Sequence, residues 1–267
     1  MDEYKTSNRI VWDAWARFHV ESDHYDNDSF RAGRNTLRSI ERDALPDVAG
    51  KSLLHLQCHF GQDTLSWARL GADVTGADFS VEAINTATEM SKELGLHAKF
   101  VCCDLYDLPN QLDKEFDIVF TSYGIKCWLS DMPAWGKIAA QYLKPGGTFF
   151  MVEHHPLLDI FDDGDPKLRV EHDYFHSQAP DRYETTGSYA GRMDEAVPAV
   201  YEWTHSLSDI IGALLDAGLR IESFQEYPIC GYACFPFMEL GDDGWYRLPK
   251  EYPSLPFMFS VQATRPE

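Results

Sequence analysis

The pattern of hydrophobic and polar positions changes from a helical period to a strand-like one near residue 45. Before that point, apolar residues share one face of a helix and are followed by a polar, turn-rich stretch at 21–29. A second helical pattern covers 35–44 and ends near Pro46. The first face is formed by Ile10, Val11, Ala14, Trp15 and Phe18.

Short apolar runs then alternate with helical stretches, each closed by a turn. Ser80 is a suitable N-cap for one of these helices, and 206–217 forms another. This alternation predicts an α/β fold with a doubly wound, mostly parallel sheet, whose ligands bind beyond the carboxyl ends of the strands. The predicted strands are 52–56, 73–77, 99–103, 116–121, 148–152, 219–226 and 256–263.

The segment after the fifth strand interrupts this rhythm, because it is rich in Asp, Gly, Pro, Tyr and His. It predicts an inserted cap, and its aromatic content matches that of the N-terminal helices. We therefore predict a single domain over 1–267, with an N-terminal helical lid at 1–45 and an inserted cap at 157–203.

The charge of the chain argues against two classes of partner. Asp and Glu number 43 against 23 Lys and Arg, which gives a formal net charge of −20. Such a surface repels phosphate backbones and is not attracted to anionic membranes. No run approaches the ~18 consecutive apolar residues of a membrane span. We expect neither a nucleic-acid nor a membrane partner.

The cysteines and the start of the chain favour a cytoplasmic protein. The 6 cysteines include no C-x-x-C pair, and Cys102 and Cys103 are adjacent, which does not suit a disulfide framework. The first residues contain neither a basic nor an apolar region of a secretory signal. We expect a monomer or a homodimer.

The turn after the first strand reads Gln-Cys-His-Phe-Gly-Gln at 57–62. Dinucleotide binding requires G-x-G-x-x-G in this place, and only Gly61 remains. The turn therefore favours a ligand without phosphates.

Several motifs resemble those of the class I S-adenosylmethionine-dependent methyltransferases. The stretch LLHLQCHFGQDTLSWARLGADVTGADFS at 53–80 resembles motifs I and II, Asp104 matches motif III, and FDIVFTSYG at 116–124 resembles motif IV. LKPGG at 143–147 is similar to the usual approach to strand five. With EWTHSL at 202–207, the chain further resembles a group of bacterial small-molecule methyltransferases. The resemblance implies a Rossmann-like seven-stranded methyltransferase sheet, S-adenosyl-L-methionine as cofactor and a small-molecule acceptor.

The chain departs from the family pattern in motif I. His55 replaces the usual acid on the first strand, and Gln57 and His59 replace glycines. Gly61 and the helix after it are kept, so we expect the strand-turn-helix geometry to persist.

The resemblance implies contacts between the cofactor and residues that follow successive strands. Asp78 is expected to accept both ribose hydroxyls, although an acid that only caps the turn is the alternative. Asp104 is expected to bind the adenine amine, although a solvated loop acid is the alternative. The full predicted set is Gln57, His59, Gly61, Asp78, Phe79, Cys103, Asp104, Leu105, Tyr123 and Gly124.

The candidate base lies in Glu-His-His-Pro at 153–156, at the end of the fifth strand. Alternation along a strand lets only one of the two histidines face the site. We expect His155 rather than His154, because Pro156 begins the cap directly after it. A base is needed only if the acceptor has a proton to lose, and a structural role for both histidines is the alternative.

The dense aromatic residues outside the sheet predict the acceptor site. Ring faces and an acidic chain suit a cationic amine, so we expect N-methylation rather than O- or C-methylation. The alternative function is that of a cofactor-binding regulatory or scaffold protein. We predict no metal site, because the residues around His172 and His176 do not form a clear helix that would bring the two side chains together. The predicted acceptor residues are Tyr25, Phe30, Trp128, Tyr201 and Trp203.

Overall fold

A computed structural model describes residues 3–162 and 167–267 and has a seven-stranded sheet at its centre. The strand order is β3-β2-β1-β4-β5-β7-β6, where β1 to β5 run parallel and β7 lies antiparallel between β5 and β6. The predicted Rossmann-like methyltransferase sheet is therefore confirmed. The strands are β1 (Ser52–Leu56), β2 (Asp73–Asp78), β3 (Ala98–Cys102), β4 (Phe116–Ser122), β5 (Leu143–His154), β6 (Arg220–Tyr227) and β7 (Met258–Thr264).

Seven α-helices accompany the strands within the described residues, and the predicted caps are formed. The Ser80 hydroxyl accepts from the Ala83 amide, and Ser206 and Asp209 form a reciprocal capping box. The helices are α1 (Glu3–Val20), α2 (Asn27–Arg31), α3 (Ser39–Ala44), α4 (Gln62–Arg69), α5 (Val81–Glu93), α6 (Met132–Gln141) and α7 (Leu207–Asp216), with 3-10 helices at Leu105–Asn110, Lys126–Trp128 and Pro156–Ile160.

The central strands are buried on both faces, as expected for a parallel sheet covered by helices. Leu53 faces a core layer that contains Trp67 of α4, whereas Leu54 faces the opposite layer, which contains Trp135 of α6. Because neighbouring residues on a strand point to opposite faces, the continuous apolar run supplies both layers.

Short antiparallel pairs complete the fold outside the sheet. Two of them lie in the insertion, where Asp181–Tyr183 pairs with Val200–Glu202 and Gly187–Ser188 pairs with Gly191–Arg192. Glu239–Leu240 pairs with Tyr246–Arg247 after β6.

Helix α1 is bound to the insertion by polar contacts. The Asn8 amide donates to the Tyr201 carbonyl at 2.7 Å and accepts from the Tyr201 amide at 2.9 Å, as a neighbouring strand would. The Ser7 hydroxyl donates to the Ala199 carbonyl at 2.6 Å. The two segments that interrupt the α/β pattern therefore contact each other, although residues 1, 2 and 163–166 of the predicted lid and cap lie outside the described residues.

Two local predictions are wrong. The polar stretch at 21–29 contains the start of helix α2, which Asp26 caps by accepting from the Ser29 amide, and which Phe30 anchors in the core. The predicted helix at 35–44 begins only at Ser39, because the Asn35 side chain accepts from the Leu37 amide and holds the preceding residues in a turn. No α-helix in the described part of the chain combines the length and the apolar character that crossing a membrane requires.

Candidate functional site

A cavity of about 1240 Å³ opens at the carboxyl ends of β1 to β5. Parallel strands bring all these ends to one edge of the sheet, so the residues after each strand meet there. Helix α1, the insertion and the loop at 231–234 border the remaining sides. The site is therefore bordered by α1 and the insertion, the segments that interrupt the sheet pattern in the sequence.

The turn after β1 adopts the left-handed backbone conformation that favours glycine, although Gln57 and His59 replace two glycines of motif I. Gln57 and His59 have φ values of 56° and 51°, in the left-handed region, and Gly61 has a φ of 82°. A β-carbon on Gly61 would approach Ala87 and Phe100 to 3.0 Å, so this position also needs glycine for space. The altered motif I therefore retains the backbone shape of the turn, and all three residues line the cavity.

Asp78 at the end of β2 links two turns while it lines the cavity. One of its carboxylate oxygens accepts from the His59 amide at 2.8 Å and the other accepts from the Ser80 amide at 2.9 Å. Burial raises the pKa of this carboxyl to about 6, against these hydrogen bonds, which lower it. Phe79 lines the cavity beside it.

The residues after β3 form the next part of the wall. Cys103, Asp104 and Leu105 all line the cavity, and burial raises the pKa of the Cys103 thiol to about 12. Asp104 accepts from the Tyr106 amide at 2.8 Å and pairs with Lys5 of α1 at 3.3 Å. The N-terminal helix thus reaches the predicted adenine end of the site.

The loop after β4 is held by a buried carboxylate. Tyr123 and Gly124 have φ values of 45° and 77° and line the cavity. The amides of Gly124 and Ile125 donate to the two oxygens of Glu153 at 2.5 and 2.7 Å. Glu153 is fully buried, so it fixes the loop through its backbone donors. Its place before the histidine pair was visible in the sequence, but no pattern indicated this role.

The two histidines after Glu153 face in opposite directions, and the preference for His155 is wrong. His155 caps the 3-10 helix at Pro156–Ile160 by accepting from the Leu157 amide, and its other nitrogen lies 2.9 Å from Glu226 of β6. It does not line the cavity, since β6 and β7 lie on its side.

His154 lines the cavity and lies close to the loop after β4. Its Nδ1 atom is 3.5 Å from a Glu153 oxygen and 4.0 Å from the position of a β-carbon on Gly124. Burial alone would lower the pKa of His154, but hydrogen bonding to Cys230 and the charge of Glu153 raise it above the ordinary value.

The predicted acceptor residues divide into two groups. Tyr25, Trp128 and Trp203 line the cavity. The predictions for Phe30 and Tyr201 are wrong, because Phe30 is fully buried in the core beside Phe60, and Tyr201 packs its ring against Tyr4 at 4.8 Å.

A buried polar cluster that the sequence did not indicate closes one side of the cavity. His59 Nε2 lies 2.9 Å from His19 Nδ1 of α1, and His19 Nε2 lies 2.7 Å from the Ser188 hydroxyl of the insertion. Burial lowers the pKa of His19 to about 3 and that of His59 well below its ordinary value, so both are neutral. Trp12 packs its ring on His59 at 5.3 Å. These contacts join segments far apart in the chain, which no local pattern reveals.

The histidines with four-residue spacing lie in irregular structure. His176 stacks on His205 at 4.8 Å and lies 2.8 Å from the Thr204 carbonyl oxygen, while His172 lines the cavity. Residues 3–162 and 167–267 contain no group of three or more His, Cys, Asp or Glu side chains arranged to hold a metal ion.

Comparison with known proteins gives one family match. Residues 53–147 match the methyltransferase domain family, which covers β1 to the first residues of β5. Over 193 residues the chain is 26% identical to an uncharacterized methyltransferase, YbaJ, of Bacillus subtilis, covering 71% of this chain and 74% of that protein.

Other similar proteins share a smaller region or the fold alone. A ubiquinone biosynthesis O-methyltransferase of Idiomarina loihiensis is 32% identical over 101 residues, or 38% of this chain and 41% of that protein. The chain thus spans less than half of that relative. An S-adenosylmethionine-dependent methyltransferase of Mesorhizobium loti superposes with a TM-score of 0.59, 19% identity and coverage of 88% of this chain and 100% of that one. At that identity, the likeness concerns the fold.

Proposed function

We propose that this chain, which is a class I S-adenosylmethionine-dependent methyltransferase, transfers the methyl group to a nitrogen atom of a small-molecule amine. The observation that carries the proposal is the cavity of about 1240 Å³ at the carboxyl edge of the sheet. Pockets for single drug-sized ligands measure roughly 300–1,000 Å³, so this one has room for a cofactor and a small acceptor together.

The residues at the sheet edge fit S-adenosylmethionine. Five buried polar atoms of the cavity lining have no hydrogen-bond partner among the described residues. They are Gln57 Oε1, His55 Nε2, His59 Nδ1, Trp12 Nε1 and Trp15 Nε1. Buried polar atoms normally have partners, so these are suited to a polar ligand. Asp78 and Asp104 supply acceptors for the ribose and the adenine, with Phe79 against the ring.

The insertion lines the acceptor part of the cavity with carboxylates. It contributes five acids and Arg192, and Lys126 comes from the neighbouring loop. The five are Asp159, Asp162, Asp181, Glu184 and Glu202, of which Asp159, Asp162 and Glu184 form ion pairs with Lys126, Arg169 and Arg182. Asp181 and Glu202 lie directly opposite each other on paired strands, which places two carboxylates side by side in this part of the wall.

Aromatic rings face the same region and support a cationic acceptor. Trp128 packs edge-on against Trp12 at 5.2 Å and against Trp15 at 5.9 Å, and Trp203 is buried nearby. A cation within about 6 Å of a ring face gains about 0.5–2 kcal/mol. This favours nitrogen over oxygen, although the Idiomarina relative is named for O-methylation.

His154 is the proposed base. The cofactor's sulfonium supplies the reactivity, so the chain has to align the acceptor, exclude water and accept the proton that an ammonium acceptor must lose. His154 borders the loop of Tyr123 and Gly124, and its ring packs against Tyr232 at 5.2 Å. The buried Glu153 beside it favours the protonated ring that such a transfer produces.

Incubation with methyl-labelled cofactor and a panel of amines and phenols tests the function. We expect labelled product from small amines, and mass spectrometry with NMR identifies the methylated atom. A metabolite extract serves as the broadest acceptor source. Exclusive labelling of phenols would contradict the nitrogen proposal, and labelling of RNA would contradict the small-molecule proposal.

The alternative function is that of a cofactor-binding regulatory or scaffold protein. It predicts cofactor binding with no transfer to any compound in the extract. The polar cavity lining of the insertion, which extends beyond the residues expected to bind the cofactor, favours the enzyme.

We also propose that the predicted lid and cap close over the sheet edge. Helix α1 contributes Lys5, Asn8, Trp12 and Trp15 to the cavity wall, and the insertion contributes Tyr183 and its neighbours. A cover of this kind keeps water from the sulfonium.

A further inference from the structure

The carboxylates in the cofactor part of the cavity differ in what already holds them. Asp78 accepts from two backbone amides, and Asp104 pairs with Lys5. Asp63 also lines the cavity, but it forms no ion pair within 4 Å with any residue of the described chain. Its partners are the hydroxyls of Thr36 at 2.5 Å and Ser122 at 3.4 Å, both neutral.

Asp63 lies in the first turn of α4, between the end of β4 and the N-terminal segment. Its side chain is half-buried, and desolvation raises the pKa of the carboxyl, against the hydrogen bonds from Thr36 and Ser122, which lower it. The charges of Arg38 and Arg34 also lower this pKa, but the hydrogen bonds of both side chains go to backbone carbonyls. Arg38 donates to those of Gly231 and Gly244 at 3.0 and 3.1 Å, and Arg34 donates to that of Tyr25 at 2.7 Å. A partly desolvated carboxylate without a direct ion pair is stabilised by a ligand that brings a positive charge to it.

The neighbouring groups leave Asp63 as the anion at this point of the site. His55, at the place of the motif I acid, is neutral because burial lowers its pKa to about 3. Burial and the charge of Asp63 raise the pKa of Glu41 to about 7, and the Tyr123 hydroxyl donates to Glu41 at 2.8 Å. Ionisation of Asp63 therefore disfavours ionisation of Glu41.

A second acceptor lies in the adjacent turn. Gln57 donates its amide nitrogen to the Ile125 carbonyl at 3.4 Å, and its Oε1 atom is buried with no partner among the described residues. An ammonium group carries three donors and suits a site that offers a carboxylate and an amide oxygen. Asp63 and Gln57 present these two kinds of acceptor around the junction of β1 and β4.

We propose that Asp63, with Gln57, binds the α-ammonium group at the amino-acid end of S-adenosylmethionine. An acid on α4 then takes the role of the motif I acid, whose place on β1 is occupied by His55. The inference rests on the cofactor and not on the identity of the acceptor. It names a cofactor-specificity residue that lies outside the residues expected from motif I.

Calorimetry with two ligands tests the proposal. The ligands are S-adenosylhomocysteine and its desamino analogue, in which hydrogen replaces the α-amino group. We expect the wild-type protein to bind the desamino analogue about 10- to 100-fold more weakly, the scale of a hydrogen bond to a charged group. Asp63→Asn is expected to weaken S-adenosylhomocysteine binding by a similar factor and to leave the affinity for the desamino analogue within about twofold of the wild-type value.

Asp104→Asn is the matched control, because it removes a cavity carboxylate at the other end of the site. It is expected to weaken both ligands by the same factor. Equal weakening of both ligands by Asp63→Asn, or no weakening at all, would overturn the proposal. If that variant does not fold, equal affinity of the two ligands for the wild-type protein overturns it just as directly. Failure of the wild type to bind S-adenosylhomocysteine would instead contradict the cofactor.

Discussion

The two halves of the cavity, proposed to hold the cofactor and the acceptor, are built in different ways. In the proposed cofactor half, Asp78, Asp104 and Tyr123 each lie at or just after the end of a strand, so the strand ends set their positions. In the proposed acceptor half, the wall comes from α1, the insertion and the loop at 231–234, which are far apart in the chain. Sheet topology thus positions the first set through local sequence order, whereas the second set depends on how separate segments pack.

The difference is also visible in the contacts that hold each half. Backbone amides bind Asp78 and Glu153 in the sheet edge, so those carboxylates depend on the backbone fold. Side chains of three segments meet in the cluster of His59, His19 and Ser188, which joins the two halves. Because different contacts hold the two halves, substitutions away from this cluster are expected to change cofactor binding and turnover to different extents.

The largest expected effect separates the two histidines at the end of β5. His154→Ala should lower kcat by ~10²-fold or more, because a positioned base contributes that much, while affinity for S-adenosylhomocysteine changes little. His155→Ala is the matched control and should retain turnover but lose stability, since it removes contacts with Glu226 and Leu157. Steady-state kinetics and calorimetry measure the pair. Normal turnover in both variants would mean that no base is required.

The pH dependence of kcat/KM gives a second test of His154 as the base. A base must be deprotonated to act, and the pKa of His154 is raised above the ordinary value. We expect kcat/KM on the true acceptor to rise with pH through a pKa above that of a free histidine, about 6.5. A profile that falls over this range would exclude His154 as the base.

In the cofactor half, Asp78→Ala should weaken S-adenosylhomocysteine binding by roughly 1–3 kcal/mol, the scale of losing charge-assisted hydrogen bonds. Asp73→Ala is the control on the same strand, because Asp73 is exposed at the opposite end of β2, where it pairs with Lys114. Calorimetry on the folded variants measures both. Unchanged affinity in Asp78→Ala would remove Asp78 from the site.

The buried Glu41 should make stability depend on pH. Its pKa rises from 4.5 unfolded to about 7 folded, so the folded state binds more protons and stability falls as pH rises between these values. The loss from this residue is at most about 3 kcal/mol.

Glu41→Gln should therefore reduce the loss of unfolding free energy between pH 5 and pH 8 in urea titrations. Glu93→Gln, whose side chain is exposed beside Arg31, is the control and should leave the slope unchanged. Identical slopes in Glu41→Gln and the wild type would contradict the assignment.

The smallest effect concerns the lid. S-adenosylhomocysteine should slow hydrogen exchange in α1 and in 167–203, as well as in the turns of the sheet. His19→Ala should reduce this protection by several-fold, because it breaks the link between His59 and Ser188. Protection confined to the sheet turns would contradict a lid, and hydrogen exchange with mass spectrometry distinguishes the outcomes.

Much of the sheet was predictable because each strand is a local apolar run with a turn at its end. The ends of β1, β2 and β4 agree with the predicted runs within one residue, and Gly61 marks the turn that needs glycine. β5 is longer than predicted at both ends, since it pairs with β4 and β7 along its length and these pairings are not local.

Local sequence was enough to predict the class of the fold, the seven-stranded sheet that the family resemblance implies and the residues at the carboxyl ends of the strands, because period and motif are properties of adjacent residues. The order of the strands came from the tertiary structure, as did the orientation of the two adjacent histidines, since β6 and β7 cover the side of His155. The tertiary structure also placed Phe30 in the core and Asp63 in the cavity wall, where no described residue forms an ion pair with it. Burial and charge at these positions depend on segments distant in the chain, which no local pattern encodes.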